Sequence, residues 1–260
     1  MEQVSIRGEE VAVERTGSGP LELVLVHGFQ NDVSAWRPFV ERIDLDRFTV
    51  TRFDLVGCGA SSRPSTWKRC SIGQYGRDLL AVCDHFGIDA PIGIGHSLGG
   101  GTVLRAALAA PGRFRALVLV APVSTSGLDF LPPERFGSLS HPTRDEQVAL
   151  ARAAFRHPPP AADLESLVAV IERATPEHIE GAAVSMRDFT VADDLATLDV
   201  PTLLVCGDRD NHVPLRNHLA TWHAIRRCGL QVYFDIGHVP FQETPERFTE
   251  DVVRFIGTLT

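Results

Sequence analysis

The pentapeptide Gly95-His96-Ser97-Leu98-Gly99 is the stretch of this chain best suited to covalent chemistry. It fits G-x-S-x-G, follows the apolar run Ile92–Gly95 and opens a segment rich in small residues (Gly99, Gly100, Gly101, Ala106, Ala107). A serine on a sharp strand-to-helix turn needs small neighbours, because strand and helix must approach closely there. Its Oγ then stands above the sheet edge beside a helix N-terminus, where N–H groups and the dipole favour a developing anion.

A serine hydroxyl is a poor nucleophile at its own pKa, so a base must take its proton. Among ten histidines, His238 stands out, since it follows the expected strand Leu230–Ile236 in Gly237-His238-Val239-Pro240. His27 also ends a strand, but Gly28-Phe29 suit a turn whose backbone N–H groups face the site. His96 lies inside the turn and should point away from Ser97. His141, His157, His178, His212, His218 and His223 read as surface or helix positions. The base in turn needs a carboxylate to fix its tautomer and stabilise its charged form. Strand Thr202–Cys206 runs into Gly207-Asp208-Arg209-Asp210, which puts two candidates on one loop. Asp208 suits a brace and Asp210 an inward-reaching group, but the residues alone leave both open.

These groups lie far apart in the chain, so a sheet must bring them together. The hairpin around Gly8, the strands at Leu21–Val26 and Phe48–Phe53, and the helices at Val33–Ile43 and Ile72–Phe86 begin an alternation. It continues through strand Ile92–Gly95, helix Leu98–Ala109 and strand Ala116–Ala121. It returns with strand Thr202–Cys206, helix Leu215–Ile225, strand Leu230–Ile236 and helix Pro245–Ile256. Such alternation specifies an α/β fold, a mostly parallel central sheet with helices on both faces. Between 122 and 198 the strands vanish and helices are expected at Arg144–Phe155, Asp163–Arg173 and Pro176–Met186. We read 1–121 and 199–260 as the core and 122–198 as a helical cap over the C-terminal strand ends, where open α/β sheets bind ligands. A plain solvent-side insertion is the alternative.

Composition excludes several classes. A formal charge of −8, without a basic stripe, argues against nucleic-acid binding. No apolar run reaches the length of a membrane span, and the first residues lack the layout of a signal peptide, so a cytoplasmic protein without membrane contact is expected. Five scattered cysteines (Cys58, Cys70, Cys83, Cys206, Cys228) suit reduced, core-filling thiols. No H-E-x-x-H and no clustered Cys/His set offers a metal site, and no cofactor is expected.

The chain order Ser97, Asp210, His238, with its surrounding motifs, resembles the α/β-hydrolase superfamily, in the esterase-like group with a helical lid. His27-Gly28-Phe29 resembles the family's H-G-x oxyanion segment, followed by an aromatic at Trp36. Asp54-Leu55-Val56-Gly57-Cys58-Gly59-Ala60-Ser61 resembles its D-x-x-G-x-G-x-S loop. Gly207-Asp208-Arg209-Asp210 resembles its G-x-x-D acid motif, which selects Asp210, and Gly237-His238 with Glu243 and Pro245 resembles its G-H-x-x-x-x-E-x-P close. Val56 and Cys58 depart from the larger or polar residues common in the loop. The absence of Trp after His238 argues against hydrolysis of carbon–carbon bonds.

The resemblance implies a two-step acyl transfer with Ser97 as nucleophile, His238 as base and Asp210 as orienting acid. It also implies an oxyanion hole from the backbone N–H groups of Phe29 and Leu98. A serine where haloalkane dehalogenases and epoxide hydrolases carry aspartate argues against those reactions. Candidate substrate-binding residues are Gln30 and Val239 beside these motifs and Phe130, Phe136, Met186 and Phe189 in the cap. The partner expected is a small to medium, mainly apolar ester, lactone or thioester. Two alternatives keep the fold: another cofactor-free reaction (acyltransferase, perhydrolase, oxygenase or cyclase), or a ligand receptor that retains the triad. The residues say nothing about oligomeric state.

Overall fold

The computed structural model describes residues 1–128, 130–132, 137 and 139–259. Its strands are β1 (Glu2–Ile6), β2 (Glu9–Thr16), β3 (Leu21–Val26), β4 (Phe48–Phe53), β5 (Ile92–His96), β6 (Ala116–Val120), β7 (Thr202–Gly207) and β8 (Cys228–Tyr233). They form one sheet in the order β1-β2-β4-β3-β5-β6-β7-β8, in which only the β1–β2 and β2–β4 pairings are antiparallel. The expected α/β architecture is therefore present. The hairpin turns at Arg7-Gly8, both with positive φ. Strands β5, β6 and β7 are buried along their whole length, as apolar runs covered on both faces must be.

The helices are α1 (Arg37–Val40), α2 (Ile72–His85), α3 (Leu98–Ala109), α4 (Arg144–Ala153), α5 (Ala161–Ile171), α6 (Pro176–Arg187), α7 (Leu215–Ala224), α8 (Pro240–Glu243) and α9 (Pro245–Gly257). None is long and apolar enough to cross a membrane among the described residues. Alternate residues of β3 enter opposite cores: Val24 and Val26 join the cluster with Leu79, Val103 and Leu104, while Leu23 and Leu25 join Trp36, Phe39 and Phe248. The chain leaves β3 for β4 on one side and later crosses to β5 on the other, so the strand order reverses at the β3–β5 pair. Connections diverge at such a point and leave a crevice at the strand ends. Val26 pairs with Gly95 there, so the segment after β3 and the turn after β5 emerge side by side.

Two expected elements differ. The helix expected over Val33–Ile43 is a 3-10 turn at Val33–Trp36 followed by α1, with Pro38 in the first turn. The last strand ends at Tyr233 instead of Ile236. It lies at the sheet edge with most residues only half-buried, Phe234 is 78% exposed, and Asp235 turns the chain with φ 56°. Apolar character had extended the expected strand past a turn that only the backbone reveals.

The excursion between β6 and β7 carries α4, α5 and α6 and, among the described residues, an isolated bridge between Ser126 and Thr190 but no longer strand pairing. Helices α4 and α5 share a small cluster of Ala151, Leu164 and Val168. Helix α6 instead sends Ile179, Ala182 and Met186 into the main core.

Candidate active site

Ser97 caps α3 with φ 52° and ψ −115°, a conformation that L-residues rarely adopt. Its backbone is locked there: its N–H donates to Val120 O (3.0 Å), and its carbonyl accepts from Gly101 N (3.2 Å) and Val123 N (3.0 Å). The glycines are obligatory, because a Cβ on Gly95 would enter the Gly99 carbonyl and one on Gly99 would enter the Val26 carbonyl. Such strain persists only where surrounding structure over-determines it, which is a mark of functional positions.

Asp210 and His238 come from the loops after β7 and β8. His238 Nδ1 donates to Asp210 Oδ2 at 2.7 Å, with both side chains almost completely buried. Asp210 Oδ1 accepts the His212 and Val213 amides at 2.8 and 2.9 Å, and Oδ2 also receives His218 Nε2 at 3.1 Å. Burial alone would raise this carboxyl. The charge of His238 and the hydrogen bonds from His218 and His238 outweigh it and hold Asp210 well below the ordinary carboxylate range. Asp208 does the other work weighed for it, since its Oδ1 accepts the Asp235 amide at 2.6 Å and ties the two loops together. A Cβ on Gly207 would strike the Ile236 carbonyl, so that contact also requires glycine.

His238 is further held through its backbone. Its N–H donates to Ala154 O at 2.7 Å, and its carbonyl accepts His96 Nε2–H at 3.0 Å. Burial pushes His96 well below the ordinary histidine range, so the neutral ring donates through Nε2. Glu243 joins the histidine loop to the end of α4, accepting Gly237 N (2.8 Å), Arg156 N (3.0 Å) and His157 N (2.9 Å).

The segment after β3 is fastened residue by residue. His27, lowered by burial, accepts Leu55 N–H through Nε2 (2.9 Å) and donates through Nδ1 to Gly28 O (2.8 Å). Asp54 receives Val33 N (2.8 Å) and Ala60 N (2.7 Å). Gln30, with φ 54°, donates its backbone N–H to His178 Nε2 of α6 at 3.2 Å. Burial pulls His178 down to about 3, so its ring is neutral; Nδ1–H then faces Tyr75 Oη at 2.7 Å, and that hydroxyl donates to Val56 O at 3.0 Å.

A cavity of about 90 Å³ is bordered by Phe29, Gln30, Ser97, Phe155, His212 and His238, with Val239 also on its wall. Ser97, His238 and Phe29 thus border one pocket. The cap residues divide. Met186 and Phe189 pack into the main core, and Phe189 also borders a larger groove of about 600 Å³ beside Trp67 and Arg105. Neither reaches the cavity wall, because α6 and the residues just after it turn their apolar side chains into the main core. Phe130 is half-buried and is not among the described lining residues, while Phe136 lies outside the described residues.

Three histidines read from the sequence as surface or helix positions instead gather around the site, with His178 and His218 buried and His212 half-buried. His212 stacks on His238 (4.8 Å between centroids, 17°), His218 meets Asp210, and His178 holds Gln30. Only His212, two residues past the acid, carried a signal that could have singled it out. His178 lies in the first turn of α6 and His218 at the fourth position of α7, and nothing local separates either from a solvent position. All five cysteines are free, and four are buried.

A family model described as "alpha/beta hydrolase fold" matches residues 23–164, more than half of the chain. A non-heme haloperoxidase of Rhodococcus erythropolis is 28% identical over 96% of this chain and 96% of its own. A pimeloyl-[acyl-carrier protein] methyl ester esterase of Nitrosomonas europaea is 26% identical over 92% and 96%. The structure of a thermophilic esterase from Thermogutta terrifontis superposes with a TM-score of 0.86 at 26% identity, covering 100% of this chain and 99% of that one.

Proposed function

The chain belongs to the α/β-hydrolase fold family, and from that premise we propose that it is a serine hydrolase acting on a carboxylic ester, lactone or thioester. The observation that carries this reading is the 2.7 Å bond from His238 Nδ1 to Asp210, beside a cavity shared with Ser97 in its strained turn. Asp210 orients the ring, and the ring's other nitrogen takes the Ser97 proton as Oγ attacks the carbonyl carbon. The backbone N–H groups of Phe29 and Leu98 receive the oxyanion, each worth roughly 3–4 kcal/mol in the transition state. Collapse expels the alcohol or thiol with the proton from His238 and leaves an acyl group on Ser97. Water, deprotonated by His238, then releases the acid and restores the serine. Helices α4 and α5, whose Leu150, Ala151, Leu167 and Ile171 border this space, act as the cap over it.

The test joins labelling to turnover. A fluorophosphonate should modify Ser97, and Ser97→Ala should lower kcat at least ~10⁴-fold on every ester that the wild type hydrolyses. Labelling without turnover across a broad panel of acyl and aryl esters would defeat the reading in favour of a ligand receptor.

A second reading has specific support in the likeness to the haloperoxidase. It keeps the acyl-enzyme and replaces water with hydrogen peroxide, so that acyl-Ser97 plus H₂O₂ gives a peracid and free serine. Peracid formation that outpaces hydrolysis at equal acceptor concentration would favour it.

A further inference from the structure

His178 is wholly buried, yet the acyl-transfer steps make no direct use of it. One arrangement of its ring satisfies every neighbour. A backbone N–H can only donate, so Nε2, which meets the Gln30 amide at 3.2 Å, carries the lone pair and Nδ1 the proton. That proton faces Tyr75 Oη at 2.7 Å, and the Tyr75 hydroxyl donates in turn to Val56 O at 3.0 Å. The bonds therefore run in one direction, from the Gln30 amide to the Val56 carbonyl. The residue is seated firmly in the first turn of α6. Its own N–H donates to Thr175 Oγ1 at 3.2 Å, Thr175 N–H donates to Gly57 O at 2.8 Å, and a Cβ on Gly57 would come within 2.7 Å of the His178 Cβ.

What this ring holds is Phe29, whose N–H serves the oxyanion. That N–H shares a planar peptide unit with Gly28 O, which accepts from His27 Nδ1 at 2.8 Å. The next peptide unit carries the Gln30 N–H, which His178 accepts. The Phe29 side chain also stacks on the same imidazole, with 5.6 Å between centroids and 27° between planes. Both peptides that flank the Phe29 Cα are thus gripped, and with them the direction of its N–H. Gln30 itself keeps a left-handed φ of 54°, a strained state that persists only where other contacts impose it. The bond to His178 is such a contact, made where Gln30 is almost wholly shielded from solvent.

We propose that His178 is a positioning residue of the oxyanion hole: through Gln30 and Phe29 it holds the Phe29 N–H where the tetrahedral intermediate needs it. This rests on the serine-hydrolase reading and gives α6, a helix of the excursion between β6 and β7, a part in the rate. His178 is not among the described residues that border the cavity, so it acts through the backbone it grips. Its loss should therefore fall on kcat. A displaced donor weakens the transition state and leaves ground-state binding largely alone.

The test compares His178→Asn with His178→Gln on phenyl acetate. Asparagine keeps a donor near the place of Nδ1 and loses the acceptor for Gln30, whereas glutamine sets an oxygen near the place of Nε2. In His178→Asn, kcat should fall on the order of 10²-fold, the scale of a misplacement by an ångström, with KM within about twofold of wild type. His178→Gln should recover most of that loss. A trifluoromethyl ketone supplies a second readout: Ser97 Oγ adds to its carbonyl carbon, His238 takes the serine proton, and the carbonyl oxygen becomes the oxyanion. Its Ki should rise by about the factor by which kcat/KM falls. An unchanged kcat in His178→Asn, a loss carried by KM, equal losses in the two variants, or an unchanged Ki each overturns the proposal. In all of those cases wild-type turnover that depends on Ser97 leaves the hydrolase reading intact, whereas turnover that survives Ser97→Ala ends both. Should His178→Asn fail to fold, Tyr75→Phe decides the matter. It removes only the hydroxyl that meets Nδ1, and kcat should fall about three- to tenfold, the worth of one hydrogen bond, at unchanged KM. Full kcat there would refute the assignment.

Discussion

Helix α6 and the α4–α5 pair come from one excursion between β6 and β7, yet they are built by opposite rules. Helix α6 is part of the core. A Cβ on Gly181 would enter the Trp67 carbonyl, Ser185 Oγ accepts the Ile72 amide at 2.9 Å, and His178 reaches the backbone of Gln30. The α4–α5 pair has three buried apolar residues of its own and an exposed ion pair and carboxylate contact from Arg144 to Glu165 and Glu172. It is tied at its ends, where Ala154, Arg156 and His157 bond the histidine loop and Arg173, just past α5, meets Asp32 at 2.8 Å. Apolar burial, not helicity, decides which part of a connection becomes scaffold and which can yield above a cavity.

The sharpest way to break this comparison is Gly181→Val. Overpacking against backbone should destabilise the whole fold by about 3 kcal/mol or more, read as one cooperative shift of the unfolding transition. A loss confined to α6, with the sheet transition unmoved, would show that α6 is not core.

The next effect concerns acid. His178 is neutral in the fold with its pKa lowered to about 3, against roughly 6.5 when unfolded. Its contribution is therefore complete above about pH 6.5 and is lost as pH falls toward 3, on the order of 2 kcal/mol between pH 7 and 5. Asp210, held low, supports the fold above about pH 4 and loses its contribution only below that, so it does not confuse this window. Chemical denaturation at both pH values should show the wild-type difference reduced by about that amount in His178→Gln. An unchanged difference would remove His178 from the anchoring of α6.

Leu164→Ala in α5 should act locally. About 2 kcal/mol, the low end for a truncated leucine, suits so small a cluster. It should appear as faster hydrogen exchange in α4 and α5 and a KM raised several-fold, with the global midpoint nearly unmoved. Equally faster exchange throughout the sheet would mean that the pair unfolds with the core. The smallest effect is expected from Arg144→Ala, whose contacts are solvent-exposed: a midpoint within error of wild type.

Much of the scaffold was legible because the relevant signals are local. The bounds of β3, β4 and α3 match the expected ones, since apolar runs and a glycine-rich helix start declare themselves within a few residues. The strand end at Tyr233 and the split before α1 escaped notice, because a positive φ and a 3-10 turn leave little trace in residue type. At the site, the residues left Asp208 and Asp210 open. The structure gives each a contact, one bracing Asp235 and the other meeting His238. The aromatic and sulfur-bearing candidates of the cap were chosen by character alone. Character does not say which face of a helix looks inward, and Met186 and Phe189 face the core.

By itself the sequence determined the alternation of strands and helices, the glycine-lined turn at Ser97 and the loops that could bear an acid and a base. Those follow from backbone preference and short spacing. The tertiary structure alone decided the burial of His178 and His218 and the stacking of His212 on the His238 ring. Burial and partnership depend on what the rest of the chain brings alongside, and no residue carries that information in its own neighbourhood.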